Sequence, residues 1–338
     1  MCRLLFLFIF SLGFVACSNS SKPLIIDGKT MGTTYHIKYF QSEIELNKKE
    51  LKNSVDALLF SVNQSMSTYI KSSEISTFNK SRQMTWQKAS KEILFVTKRA
   101  LEIGHKTGGS YDPTLGPLVN LWGFGPNGKR EVPEASAIAK ARESVGLSLL
   151  SVDVEKGQWK KNHPNVYVDL SSLAKGYGVD EVALLLGRSG AKNYMVEIGG
   201  EVRTSGSKNG APWKIAIESP DIENPKAIYP KILNLNNAAL ATSGNYRNFF
   251  TQNKKNYSHT IDFKTGRPVA HTLASVSVAN TDSCMNADAW ATALMSLGFE
   301  KGYKLAQELK LAAYFIYKLD NNKHFVSKGT DEFNKLFK

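Results

Sequence analysis

Two periodicities interleave along this chain without settling into a repeat, and that irregular order limits the fold more than any other feature. Apolar residues at helical spacing mark residues 47–65 (Leu51, Val55, Leu58, Leu59, Val62) and residues 90–107 (Ile93, Leu94, Val96, Ala100, Ile103). The second run stops at Gly108-Gly109, as helices do. Residues 134–146, 174–187, 286–297 and 303–309 read as further helices. Between them, residues 29–40, 165–170, 194–198, 213–218, 239–243, 273–279 and 312–317 are rich in β-branched and aromatic side chains and read as strands. Strict alternation of strand and helix would indicate a doubly wound parallel sheet; the mixed order here predicts an α+β fold. No stretch rich in Gly, Pro or Ser announces a domain boundary, so one large or two interlocked units are expected.

The N-terminus carries a different message. Arg3 precedes an apolar run from Leu4 to Ala16, followed at once by Cys17. A basic start, a short apolar stretch and a small residue describe a secretory signal, and the run falls short of the about 20 apolar residues that a membrane span needs. Cys17 in this place is the lipidation position of a lipoprotein signal, although Phe14 stands where Leu is usual. An ordinary soluble export signal, or a buried N-terminal helix, is the plainer alternative. The expected organisation is a lipoprotein signal peptide at 1–16, a tether at 17–28 and one domain at 29–338. The protein is then expected to be exported and held at the periplasmic face of a bacterial membrane through Cys17.

Of the 3 cysteines, Cys2 leaves with the signal and Cys17 is the anchor, so the body keeps Cys284 and has no disulfide framework. The formal charge of +13 raises two kinds of partner, nucleic acid or an anionic surface or phosphorylated substrate. Lysines such as Lys48-Lys49, Lys160-Lys161 and Lys254-Lys255 are scattered, no nucleic-acid module is visible, and export argues against a nucleic-acid partner. A basic solvated surface accounts for most of them.

Four segments carry chemistry. In Asn286-Ala287-Asp288-Ala289-Trp290-Ala291-Thr292, Asp288 and Thr292 are four apart and share a helix face. Carboxylate and hydroxyl are hard oxygen donors suited to Mg²⁺ or Ca²⁺, though a helix cap and a packing threonine would look the same. In residues 166–178, a β-rich run ends at Asp169, and a helix follows with Lys175 in its first turns, an arrangement that favours an anion. An Asp/Ser cap with a solvated lysine is the alternative. His259, in the run from Tyr257 to Pro268, is a candidate general base; read as a strand, this run puts His259 and Ile261 on one face. A structural histidine is the competing reading. Lastly, residues 108–125 set aromatics among Gly and Pro, as in a flat pocket wall, and loop formation alone explains that nearly as well.

Together these segments resemble the ApbE family of FAD:protein FMN transferases. The resemblance rests on Met31-Gly32-Thr33-Thr34, Met66-Ser67-Thr68-Tyr69, Ser73-Glu74-Ile75-Ser76 with Asn79, Tyr111-Asp112-Pro113-Thr114 and Leu121-Trp122-Gly123-Phe124-Gly125. It continues through Val168-Asp169-Leu170-Ser171, Ile198-Gly199-Gly200-Glu201, Ser243-Gly244-Asn245-Tyr246-Arg247, Tyr257-Ser258-His259 and Ala287-Asp288, in family order. It implies an ApbE-like (T-fold-like) α+β architecture with mixed, largely antiparallel sheets and packed helices. It also implies Mg²⁺-dependent cleavage of FAD, with FMN passed to a threonine hydroxyl of an acceptor flavoprotein, such as a redox-pump subunit, and AMP released.

Carried over by position, Met31, Tyr69, Ser110, Tyr111, Asp112, Asp169, Lys175 and Ile261 are expected to contact FAD. Asp288, Thr292 and the Ser172 carbonyl would hold the metal, and His259 would take the threonine proton. The sequence departs from the family at Phe263, where Pro is usual, and at Ser110, where Ala is common. Two other outcomes keep the same site: a pyrophosphatase that releases FMN and AMP to water, and a flavin-binding lipoprotein without turnover.

Overall fold

The computed structural model describes residues 22–40, 46–126, 128–220, 231–245, 248–319 and 324–337; the signal peptide and Cys17 lie outside them. An eight-stranded sheet forms the centre: β1 (Leu24–Thr30), β2 (Thr33–Phe40), β3 (Asn193–Ile198), β4 (Glu201–Ser205), β5 (Ala239–Gly244), β6 (Leu273–Asn280), β7 (Ala312–Lys318) and β8 (Phe325–Gly329). Strand order in space follows chain order, and every neighbouring pair is antiparallel. The helices are α1 (Lys48–Met66), α2 (Glu74–Lys80), α3 (Lys91–Lys106), α4 (Gly116–Leu121), α5 (Ala135–Arg142), α6 (Ser171–Arg188), α7 (Cys284–Leu297), α8 (Phe299–Glu308) and α9 (Asp331–Leu336). This is an α+β fold. Among the described residues, no helix is long and apolar enough to cross a membrane.

Period-two alternation puts a core on each side of the sheet. In β7, Ala313 and Phe315 join the core beneath α3, α7 and α8, while Ile316 joins one with Leu233, Leu235 and Phe333 on the opposite face. That second face is covered by the hairpin of Trp213–Ile217 with Lys231–Leu235 and by α9. On the first face, Tyr35, Ile37, Val196 and Ile198 meet Val55 and Leu59 of α1 and Val179 and Val182 of α6. Leu118, Trp122, Phe124, Ile138 and Ile261 make a smaller cluster to one side.

Three sequence expectations change. Residues 29–40 are not one strand but a hairpin, since Met31 and Gly32 take φ of +49° and +72° and turn the chain between β1 and β2. Its first strand begins at Leu24, so the end of the expected tether belongs to the sheet. Residues 165–170 join no ladder. Their backbone is held instead by the Asn79 side chain, whose Nδ2 donates to the Val168 carbonyl and whose Oδ1 accepts from Val168 N–H, both at 2.8 Å. Beyond Ser258 the expected strand breaks before Ile261–Asp262 pairs with Arg267–Pro268, so His259 stands on a bend between two short hairpins.

The two helices that matter most for the site, α6 and α7, approach closely at Gly176. A Cβ there would lie 2.5 Å from the Cys284 carbonyl oxygen and 2.7 Å from Met285 Cα. Both obstacles are backbone, so Gly176→Ala must push the helices apart. It is expected to cost about 2 kcal/mol or more, read as a fall of roughly 4 °C or more in the thermal midpoint. An unchanged midpoint would show that the contact is dispensable.

Candidate active site

Asp180 sets the register of this helix pair. Its carboxylate, on α6, accepts from Cys284 N–H at 2.8 Å, Met285 N–H at 3.0 Å and the Ser283 hydroxyl at 2.8 Å, and it pairs with Arg203. A side chain of one helix thus satisfies the free N–H groups that open the other. Ser283 adds its own cap by accepting from Asn286 N–H at 3.1 Å. The helix therefore starts before Asn286, and Asp288 is not a cap. It lies inside the second turn, 3% exposed, with Oδ2 accepting from Gly176 N–H at 3.0 Å.

Lys175, one residue before that N–H, carries the charge at the centre. Its Nζ is 2.9 Å from Glu201 Oε1 and 3.7 Å from Asp288 Oδ1, and 30% of its side chain stays exposed. Burial works against the ammonium, but Asp288 and Glu201 outweigh it and hold its pKa well above the ordinary lysine value. Burial drives both carboxylates the other way. Asp288 is raised against the pull of Lys175, and Glu201 is pushed up to about 8. Two buried carboxylates share one ammonium, and among the described residues Glu201 Oε2 has no hydrogen-bond partner. The centre is one positive charge short, which is costly in a low-dielectric site unless a proton or a further cation arrives.

Of the remaining expected residues, Tyr111 feels the charge of Asp288 and His259 that of Lys175, and the others are fixed by local contacts. Asp169 Oδ1 accepts from Ser171 N–H at 2.9 Å, just ahead of α6, while its own N–H donates to the Pro113 carbonyl at 2.8 Å. That bond ties the first turn of α6 to the loop carrying Ser110, Tyr111 and Asp112. Tyr111 hydroxyl and Ser172 Oγ are 2.7 Å apart, and burial pushes the phenol far above its usual pKa, so it remains a hydroxyl. Asp112 faces inward: its Oδ1 accepts from the Thr114 N–H and hydroxyl at 2.8 and 2.7 Å, and burial raises its carboxyl. Ser110 N–H donates to the Thr107 carbonyl at 3.2 Å, and Phe263 packs beside it against Gly109. Met31 lies on the first turn of the sheet and packs against both cores on that face.

Thr292 follows Asp288 one turn along α7, its hydroxyl 3.1 Å from Ser243 Oγ. Two residues on, Asn245 Oδ1 accepts from the Ser258 hydroxyl at 2.6 Å and the Thr260 hydroxyl at 3.0 Å, so it brackets His259. His259 Nδ1 is 3.1 Å from the Asn248 carbonyl. A carbonyl only accepts, so Nδ1 bears the proton and Nε2 keeps its lone pair. Burial, with Lys175 and Arg130 adding to it, holds the imidazole below its usual pKa. Phe124 meets its ring edge-on, and Tyr69, 67% exposed, donates to the Phe124 carbonyl at 3.3 Å.

The aromatic wall expected from sequence is narrower than its residues suggested. Trp122 is buried and donates through Nε1 to the Gly266 carbonyl at 2.8 Å, Tyr111 is buried on Ser172, and Tyr69 presents its ring. Ile261, 3% exposed, spends its side chain on the cluster around Trp122. Sequence reasoning gave no role to Glu201, Asn245, Asn79 or Asp180. The signal for Glu201 was a carboxylate placed straight after Gly199-Gly200, where the chain turns between two strands.

Among the described residues, no group of three or more His, Cys, Asp or Glu side chains is arranged to hold a metal ion. The oxygen set expected from the sequence, Asp288, Thr292 and the Ser172 carbonyl, contains one carboxylate. Its chemistry, beside a centre short of positive charge, fits a hard divalent cation.

Known proteins resemble this chain over nearly its whole length. The family model described as the ApbE family matches residues 31–315. The FAD:protein FMN transferase of Haemophilus influenzae is 42% identical over 96% of this chain and 95% of its own length. That of Vibrio cholerae is 42% identical over 94% of each. A solved structure of the flavin transferase ApbE from Vibrio cholerae, in a histidine-to-glycine variant, superposes with a TM-score of 0.86 at 40% identity, covering 94% of this chain and 100% of that one. The chain belongs to the ApbE family.

Proposed function

We propose that the protein splits FAD and transfers its FMN half to a threonine hydroxyl of an acceptor protein, with AMP as the leaving group. The carrying observation is the pair of Lys175 and Asp288. A buried carboxylate on α7 and a partly exposed ammonium on α6 lie 3.7 Å apart, the charges needed to hold a cation and to neutralise a pyrophosphate. Relatives named FAD:protein FMN transferase over nearly their whole length support the same reading.

His259 Nε2 takes the proton as the acceptor oxygen forms its bond to the FMN phosphorus. The P–O bond to the AMP phosphate breaks, and its electron pair leaves with AMP. Lys175 offsets the charge on the phosphates, and Tyr111 and Asp169 fix the loop and helix end beside it. Asp288, Thr292 and the Ser172 carbonyl would hold Mg²⁺, which when bound supplies Lewis-acid neutralisation of the phosphate oxygens. Tyr69 offers ring surface for the flavin.

Export and a lipid anchor at Cys17 complete the proposal; they rest on the sequence of residues 1–17. Acceptors would then be extracytoplasmic flavoproteins such as redox-pump subunits. The test incubates the protein with FAD, Mg²⁺ and an acceptor carrying a target threonine, followed by mass spectrometry. Gain of one FMN on that threonine is expected. Release of FMN and AMP with an unlabelled acceptor would make the protein a pyrophosphatase, and intact FAD would reduce it to a binding protein.

A further inference from the structure

We propose that Glu201 is a positioning residue that holds the Lys175 ammonium away from Asp288, keeping that carboxylate available to a divalent cation while Lys175 serves the phosphates. The inference rests on the transferase reading above. Its ground is an asymmetry of distance. Lys175 Nζ lies at 2.9 Å from Glu201, a close hydrogen-bonded pair, but at 3.7 Å from Asp288, a longer ion pair. With Glu201 gone, the nearest counter-charge for a largely enclosed ammonium is Asp288, and Lys175 would close on it.

The surrounding backbone fixes this arrangement. Glu201 opens β4 directly after a two-residue turn, in register with Ile198. In that turn Gly199 and Gly200 have φ of +59° and +105°, a conformation that L side chains rarely adopt. A Cβ at Gly199 would lie 3.3 Å from Lys175 Cδ and 2.8 Å from Thr33 Cγ2, so the lysine stem is laid across the turn where any larger residue would displace it. Glu201 is 3% exposed, and its second oxygen, Oε2, is buried without a partner among the described residues. Buried carboxylate oxygens are ordinarily satisfied. Here one oxygen grips the lysine while the other has no partner among the described residues.

Full-length wild-type, Glu201→Ala, Lys175→Ala and double-variant proteins provide the test. FAD affinity is measured by flavin fluorescence in chelator, so that no turnover is required, and Mg²⁺ affinity by calorimetry without FAD. Glu201→Ala is expected to weaken FAD about tenfold, the scale of one charge-assisted contact, and Mg²⁺ by a similar factor as Lys175 claims Asp288. In the Lys175→Ala background the same substitution is expected to change each by less than about twofold, because the lysine it positions is gone. Equal losses in both backgrounds would overturn the inference. Should Glu201→Ala fail to fold, Glu201→Gln, of the same size, goes through the same cycle under the same criteria. Wild-type protein that binds no FAD would instead sink the transferase reading, and this inference with it.

Discussion

Replacing Asp288 by Asn is expected to lower FMN transfer by at least about 10³-fold while leaving the protein folded. The change removes the single carboxylate from the proposed cation set, whose other members, the Thr292 hydroxyl and the Ser172 carbonyl, are neutral. An electrostatic group aimed at developing phosphate charge is worth roughly 10²–10³ in rate by itself, and weakened cation binding adds to that loss. Asn keeps the size and an acceptor for Gly176 N–H, now met by Asp288 Oδ2 at 3.0 Å, so the contact between α6 and α7 survives. Stability should not fall. Burial already raises the Asp288 carboxyl, which means that its charged form is the disfavoured one in this setting. Rates measured across a Mg²⁺ titration, with the thermal midpoint as a control, separate the two effects. Activity within tenfold of wild type at saturating Mg²⁺ would show that Asp288 does not hold the cation.

The contrast between Asp288 and Glu201 shows how far this site was legible in the sequence. Asp288 could be read because its partner Thr292 lies four residues away, and helix geometry turns that spacing into a shared face. Lys175 and Asp169 were legible in the same local way, around the start of one helix. Glu201 was not, since its meaning depends on an ammonium 26 positions earlier in the chain and on a turn that lays the lysine stem across it. The Asn79 clamp on Val168 spans 89 positions, and it explains why a β-rich run that looked like a strand pairs with no strand. Long amphipathic helices such as α1 and α3 could be placed within a residue or two, because their apolar stripes repeat over several turns. The short hairpins near His259 could not. Strands of two to four residues carry too little alternation, and their pairing comes from turns and from Asn245, which reaches in from β5's end. The expectation for His259 failed in its geometry, a strand face, while the ring still feels the charge of Lys175.

His259→Ala is expected to slow transfer by about 10²–10⁴-fold, the usual worth of a positioned general base, and to leave FAD affinity within about twofold. The separation follows from where the ring is held. Its Nδ1–H is committed to the Asn248 carbonyl at 3.1 Å, its edge to Phe124, and its bend to Asn245, so Nε2 is the atom free to take a proton. The phosphates have Lys175 as their counter-charge, and that lysine is anchored on Glu201. Removing the imidazole takes away proton transfer while leaving the anion site. The pH profile carries the sign of the same argument. Burial, with Lys175 and Arg130, lowers the pKa of His259 below the ordinary 6.5, so the neutral ring that acts as base persists to more acid pH than a free histidine would allow. The rate of the wild-type protein is therefore expected to hold level through neutrality and to fall on an acid limb centred below pH 6.5. In His259→Ala that limb should disappear together with the base. An acid limb of unchanged position in the variant would assign the titration to another group, and transfer within threefold of wild type would remove His259 from the proton's path.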